Sequence, residues 1–340
     1  MTTMTLGLDV SKRYLDMVGM DADGAVVERK RHTWAKLLER TAAMRPVRIG
    51  LEAGGGAHHL GRRLQAQGHE VRLMPPQHVR AYVKGNKTDS ADAQACAEAV
   101  QRPMMRFVPI KSCAQQELQA LQRIRRRLIE QRTAVINQIR GLLREFGLSA
   151  PKGHGHLSRR LPDLLAEAER EVSPELIAEI QDLRAEWSDY DHRVSRLEDR
   201  LHAQARRDDG YRRLREIDGI GLVTASAVIA AVGDARNFDR GRDFAAWLGL
   251  TPKEHSTGGK QRLLSISKRG QPELRTLFVH AARSVLLNMA RRSGGQGPWL
   301  RRLMQRRHRN VAIVALANKL ARIAWAVLAK GERYRPQPAA

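Results

Sequence analysis

The stretch Thr5-Leu-Gly-Leu-Asp-Val-Ser11 decides how the N-terminal part of the chain is read. Within it Thr5–Val10 is a short apolar run broken by a glycine, the pattern of a buried strand that carries Asp9 at its end. Working outward, Leu15–Met20 and Ala25–Arg31 are two more such runs, each set off by turn residues, so a three-strand meander is expected. A helix follows over Trp34–Met44, then a strand over Val47–Leu51, a helix over Ala57–Gln67, and a strand over Glu70–Met74 closed by Pro75-Pro76. Thr88 suits the cap of a helix that runs to about Gln101. Strands that give way to helix–strand alternation imply a mixed sheet with helices packed on it.

On that frame four acids fall at element ends. Asp9 closes the first strand, Glu52 ends Val-Arg-Ile-Gly-Leu-Glu, and Asp89 and Asp92 sit three apart in Lys-Thr-Asp-Ser-Ala-Asp-Ala, which a helix brings to one face. Carboxylates delivered from two strand ends and a helix can meet at one sheet edge, where they repel unless divalent cations hold them. Two Mg2+ ions bridged by carboxylates activate an oxygen nucleophile and stabilise a leaving oxygen. Each acid alone also suits a turn or a helix cap; the ordered set is the specific signal.

Two long helices come next. Glu117–Phe146 aligns Leu121, Ile124, Leu128, Val135, Ile139, Leu142 and Phe146, and Leu176, Ile180, Leu183, Trp187, Tyr190, Val194, Leu197 and Leu201 form a heptad seam. Ser149–Pro162 is rich in Gly, His and Pro and reads as a turn between them. An antiparallel helical arm is expected, with the seam as a contact for self-association and Arg123–Arg127 as a solvated face. Cys96 and Cys113 are the only cysteines, and no histidine cluster has metal-finger spacing.

Charge points to a polyanion. Lys and Arg total 60 against 36 Asp and Glu, a formal +24. From Gly241 to Ala340 there are 20 basic residues and only Asp243, Glu254, Glu273 and Glu332 as acids, so +16 of the excess lies in the last hundred residues. Such a field repels itself unless nucleic acid neutralises it. Arg301, Arg302 and Arg306, with Arg291, Arg292, Arg307 and Arg309, surround Trp299 without an acid among them. Val311–Ala329 is apolar enough to raise a membrane span, but Asn318, Lys319 and Arg322 interrupt it, so a buried helix of a soluble, non-membrane chain is expected.

Two C-terminal motifs could contact phosphate. Around Gly219-Ile-Gly221 a helix, a hairpin and a second helix would present backbone N–H groups at a helix N-terminus, although the same motif serves as a packing corner. In Gly249-Leu-Thr-Pro-Lys-Glu-His-Ser-Thr-Gly-Gly-Lys the hydroxyls of Ser256 and Thr257 lie on a Gly-rich loop amid Lys260, Arg262, Lys268 and Arg269. Those cations suit either a phosphate-binding loop or a serine that attacks a phosphodiester.

Taken together, these motifs resemble the DEDD insertion-sequence transposases, also described as bridge-RNA-guided recombinases, over nearly the whole chain. The resemblance implies a ribonuclease H-like (RuvC-like) domain over 1–112, a coiled-coil arm over 113–205, and a mostly helical transposase domain with a helix-hairpin-helix over 206–335. It implies Asp9, Glu52, Asp89 and Asp92 as a Mg2+-binding tetrad. It also implies a serine that forms a transient phosphoserine with DNA: Ser256 by the His-Ser-Thr-Gly-Gly-Lys pattern, with Thr257 as the rival where relatives place serine just before glycine. Further implications are duplex DNA as donor and target, a noncoding bridge RNA, a homo-oligomer (a dimer, tetrameric in synapsis), and a prokaryotic cytosolic location. With no base visible in the loop beyond His255, the tetrad of the same or another protomer is expected to activate Ser256. Three rival readings are a sugar kinase, a RuvC-like structure-selective nuclease without transposition, and a non-enzymatic nucleic-acid binder. They respectively lack a second phosphate domain, need no serine loop, or leave the four acids unexplained.

Overall fold

A computed structural model describes residues 5–86, 88–288 and 297–335, the side chains of 297 and 298 apart. Among these the chain forms two compact units, Met1–Gln116 and Glu117–Ala340. The expected three-part division is finer than this, because the arm and the C-terminal segment fall in one unit.

The first unit is a five-stranded mixed sheet. Its strands are β1 (Thr5–Val10), β2 (Tyr14–Met20), β3 (Val26–Thr33), β4 (Arg48–Glu52) and β5 (Glu70–Met74), in the spatial order β3-β2-β1-β4-β5. The meander β1-β2-β3 is antiparallel, whereas β4 runs parallel to β1 and β5 parallel to β4. The helices are α1 (Trp34–Ala42), α2 (Ala57–Ala66), the single turn α3 (Pro76–Val79) and α4 (Asp89–Ala99).

Strand alternation assigns the two faces. Leu6, Leu8, Ile49, Leu51, Val71 and Leu73 point to one side and form a buried core with Leu37 of α1 and Leu60 and Leu64 of α2. The residues between them, Gly7 and Gly50, are register partners on the opposite side. There α4 lies almost on the backbone. A Cβ on Gly7 would come 2.0 Å from the Ala93 carbonyl oxygen, and one on Gly50 would come 2.6 Å from that of Cys96. Small residues on both surfaces, with Ala93, Cys96 and Ala97 facing the glycines, permit this approach. Asp9 and Glu52 have the same parity as Gly7 and Gly50, so both acids fall on the α4 side.

In the second unit the arm has three helices rather than two: α5 (Cys113–Glu145), α6 (His154–Ala168) and α7 (Pro174–Ala205). The expected turn over Ser149–Pro162 is a correction, because helix resumes at His154 with Pro162 inside it. A helical proline removes a hydrogen bond and costs about 3 kcal/mol. Against that, Leu157, Leu161, Leu164, Leu165 and Ala168 make an apolar stripe buried between Val135–Leu143 of α5 and Ile177–Trp187 of α7. The heptad seam is therefore covered within the chain: Ile180, Trp187, Val194, Leu197 and Leu201 are buried against the chain's own helices. Self-association through this seam loses its basis.

Beyond the arm lie α8 (Asp209–Leu214), α9 (Leu222–Val232), α10 (Gly241–Trp247), an antiparallel hairpin of β6 (Pro252–Glu254) and β7 (Leu263–Ile266), then α11 (Pro272–Leu287), α12 (Gly297–Arg306) and α13 (Arg309–Lys330). They share one core around Phe244, Phe278, Leu316 and Leu320. Helix α13 has the length and apolarity of a membrane span, with a mean hydropathy of 1.7 over its most apolar window. Its Ala312, Leu316, Leu320 and Ala324 are nonetheless packed in this core, and two of its polar interruptions have partners. Asn318 donates to the Leu250 carbonyl at 3.1 Å, and the Lys319 ammonium stands 4.6 Å over the Trp299 ring.

Candidate active site

Asp9 and Glu52 end adjacent parallel strands, and Asp89 and Asp92 occupy the first turn of α4, whose Thr88 cap accepts from the Ala91 N–H at 3.1 Å. The close seat of α4 on Gly7 and Gly50 carries that first turn to the strand ends. The acids feel one another. Burial, then the Asp89 and Asp92 carboxylates, push the Asp9 carboxyl up from its ordinary range. One helical turn beyond Asp92, the Cys96 thiol is pushed up by burial and by the charges of Glu52, Asp9 and Asp92. All four acids thus contribute to one negative field.

Sequence reasoning missed two members of this face. Asp16 lies directly opposite Asp9 in the β1–β2 register and opposite Arg31 in the β2–β3 register. Arg31 then bridges two carboxylates, Asp16 at 2.9 Å and Asp89 at 2.8 Å. The signal was present in the sequence: pairing Val10 with Leu15 across the first hairpin puts Asp16 beside Asp9. Among the described residues no three carboxylate, imidazole or thiol groups are gathered tightly enough to ligate one metal ion. The acids share a face and a field, and Asp89 is turned to Arg31. The donor set itself suits a hard divalent cation, since it is all carboxylate and its mutual repulsion is what such an ion relieves.

The second site is the β6–β7 hairpin. Its root is held by backbone bonds, Ser267 N–H to the Thr251 carbonyl at 2.8 Å and Lys268 N–H to the Gly249 carbonyl at 3.2 Å. The Arg275 guanidinium braces it by donating to the Leu248 and Arg269 carbonyls, each at 3.1 Å. The segments Gly249–Pro252 and Ile266–Gly270 are thus the two feet of a hairpin. At its tip Lys260 N–H donates to the Thr257 carbonyl at 3.0 Å around Gly258 (φ 56°) and Gly259 (φ 77°). Two successive left-handed residues make the tight hairpin turn that glycines supply without Cβ strain.

Just before this turn the Ser256 hydroxyl donates to Glu254 Oε1 at 2.6 Å and accepts from the Arg262 N–H at 3.3 Å. Gln261 donates to the same Glu254 oxygen at 3.3 Å. The serine hydroxyl, followed by Gln261, holds the Glu254 carboxyl below its usual range, so it is an anion at neutral pH. Glu254 was not among the sequence candidates. Its signal was the two-residue spacing, which places Glu254 and Ser256 on one face of an extended strand. Lys260, Arg262, Lys268 and Arg269 are all exposed around the hairpin, and so is Thr257.

The remaining candidates are distributed. Gly219 has φ 84°, and a Cβ there would meet the Ala281 carbonyl of α11 at 2.6 Å, so this glycine serves packing. Gly221 caps α9 without a side-chain bond and with open space around it. Arg301, Arg302 and Arg306 are exposed on α12 and make no ion pair among the described residues. Arg291 and Arg292 lie outside those residues.

Comparison with known proteins gives concordant matches. A family profile described as transposase, of the DEDD type, matches residues 6–147, and one described as transposase IS116/IS110/IS902 family matches residues 211–305. A probable family 20 transposase of Pseudomonas aeruginosa is 44% identical over 337 residues, covering 99% of this chain and 100% of the relative. The transposase for insertion sequence element IS1111A of Coxiella burnetii is 41% identical over 330 residues, covering 97% of this chain and 91% of the relative. The carboxylate face falls within the first profile match and the serine hairpin within the second, and on these matches the chain belongs to the IS116/IS110/IS902 family of insertion-sequence transposases.

Proposed function

We propose that this transposase cuts and rejoins DNA by phosphoryl transfer, with Ser256 as the nucleophile that becomes joined to DNA. The observation that carries the reading is the 2.6 Å hydrogen bond from Ser256 to Glu254 on an exposed cationic hairpin. A hydroxyl needs a proton acceptor to attack phosphorus, and Glu254 supplies one within the hairpin. Ser256 Oγ forms the new P–O bond, its proton passes to Glu254, and the bond from phosphorus to the leaving strand oxygen breaks. The strand is retained as a phosphoserine ester. Attack on that ester by the hydroxyl of a second strand end breaks the Ser256 Oγ–P bond; the serine oxygen recovers its proton from Glu254, and the attacking hydroxyl releases its proton to the solvent, which supplied the one taken up by the first leaving oxygen. Lys260 and Arg262 would neutralise the charge that develops on the phosphoryl oxygens.

Asp9, Glu52, Asp89 and Asp92 are proposed to hold Mg2+ in a ribonuclease H-like domain over 1–112. When bound, the ion would neutralise charge and activate an oxygen at the DNA. Asp16 and Arg31 tune this face, since Arg31 already neutralises part of it. Donor and target duplexes are assigned to the C-terminal basic surface, with Gly221 at the start of α9, and Lys268, Arg269, Arg301, Arg302 and Arg306. A bridge RNA would select the target, and a dimer, tetrameric in synapsis, would act in the prokaryotic cytosol. The arm over 113–205 and the region 206–335 would act as separate functional segments.

Trapping on a nicked suicide substrate tests the chemistry. Peptide mass mapping should find nucleotide on Ser256, and Ser256→Ala should form no adduct while retaining gel-shift affinity. An adduct on Thr257, or joined products without any adduct, would overturn the serine assignment. Cutting without joining would leave a structure-selective nuclease, and binding alone a non-enzymatic protein.

A further inference from the structure

The arm carries a groove that none of this chemistry uses. Its floor is Leu121, Ile124 and Leu128 of α5 with Leu197 of α7, and its rim on α7 is Arg193, Arg196 and Arg200. Ile124 is 45% exposed, a large aliphatic side chain left in water. Other arginines of the arm are engaged by acids: Arg125 by Glu198 at 2.6 Å, Arg132 by Asp191 at 2.7 Å, and Arg126 by Glu130 and Glu273. Among the described residues the rim residues Arg196 and Arg200 make no ion pair. Arg193 meets Asp189 at 3.3 Å in an exposed pair of the kind that contributes little.

We propose that this groove binds the sugar–phosphate backbone of nucleic acid, with phosphates on the arginine rim and sugar C–H faces on the aliphatic floor. The proposal rests on the reading of this chain as an enzyme that handles nucleic acid, and adds a site on the arm. Guanidinium groups suit phosphate because they donate in a fixed planar fork. Along α7 the three rim arginines recur at intervals of about 4.5 and 6 Å. Their unrelieved field is what a polyanion neutralises. A second copy of the chain is a poor occupant. A two-fold contact through this face would set the same three cations against themselves.

Photocrosslinking in the full chain tests the groove. Ile124→p-benzoylphenylalanine is irradiated with labelled duplex DNA and, separately, with labelled single-stranded RNA. The expected result is a covalent adduct to one of these nucleic acids. The adduct should fall at least tenfold when Arg193, Arg196 and Arg200 are all changed to Gln, and return when all three are changed to Lys. Losing three phosphate contacts should also reduce the log–log salt slope of binding by about 2.7 for a duplex or about 2.1 for a single strand, so slope and label together name the source. The crosslink with native arginines stands even if the triple Gln variant misfolds. No adduct at position 124 alongside full gel-shift binding, or an adduct to a second copy of the chain, overturns the groove. Absence of any nucleic-acid binding by the unsubstituted protein overturns the underlying functional reading together with it.

Discussion

The carboxylate face and the serine hairpin are built in opposite ways. At the first, Asp9 and Glu52 are half-buried, and their positions follow from a sheet register and a helix seated on bare glycine backbone. At the second, Ser256 and its neighbours are exposed, and what orders them is hydrogen bonding within the hairpin. The acids gain accuracy from tertiary packing, at the cost of like charges held close together. The serine gains a proton acceptor from strand geometry alone, and nothing packs over it among the described residues. A carboxylate site needs several groups from distant segments and therefore a rigid core. A single hydroxyl needs one neighbour and a root.

The largest expected effect comes from breaking the packing. Gly7→Ala drives a methyl into the Ala93 carbonyl, where the space available is 2.0 Å. The strand or α4 must move, so the first unit should lose about 3 kcal/mol, the upper part of the usual range for overpacked cores. Thermal melting and strand-joining assays should both fail. Gly258→Ala provides the contrast, because it meets no atom within 4 Å and disturbs only a left-handed turn. It should cost about 1 kcal/mol, with the fold intact. A Gly7→Ala protein as stable as the parent would contradict the seating of α4 on the strands.

A smaller effect is expected at the hairpin. Glu254→Gln keeps an oxygen to receive the Ser256 hydroxyl bond but cannot take its proton. Single-turnover joining should slow about 10²-fold, the lower end of general-base contributions, with DNA affinity unchanged. An unchanged rate would place the proton acceptor elsewhere and return that role to the tetrad.

The smallest effect has an informative sign. Asp9 has a raised carboxyl in the fold, so between the ordinary carboxylate value and its raised one the folded state binds more protons than the unfolded state. Metal-free stability should therefore fall as pH rises through that window and stay lowered above it. Asp9→Asn removes this penalty, so at neutral pH without metal its melting temperature should exceed that of the parent. Added Mg2+ should raise the parent and leave Asp9→Asn nearly unmoved. A variant less stable than the parent in chelator would show that Asp9 is held by compensating contacts rather than strained by its neighbours.

Local pattern determined a great deal. Alternation and turn residues located β1 and β5 to the residue, and Thr88 is the cap it was expected to be. The acids at strand ends and the basic C-terminal segment were legible because residue type and spacing alone carry those signals. Other features needed the folded chain. Nothing in Ser149–Pro162 overrides its Gly, His and Pro content until α5 and α7 offer Leu157, Leu161 and Leu164 a place to be buried, so α6 depends on its neighbours. The heptad seam looked available for a partner because a seam does not say which helix fills it. The roles of Arg31 and Glu254 also lie in pairing, since an ion pair or hydrogen bond belongs to two residues that the register brings together. Sequence by itself determined which residues could be strands, caps and acids, because those choices rest on local backbone preference and burial pattern. Only tertiary structure decided which of them meet, because the approach of α4 to Gly7 and Gly50 and the cross-strand pairing of Asp9 with Asp16 are distances between segments far apart along the chain or folded back on each other.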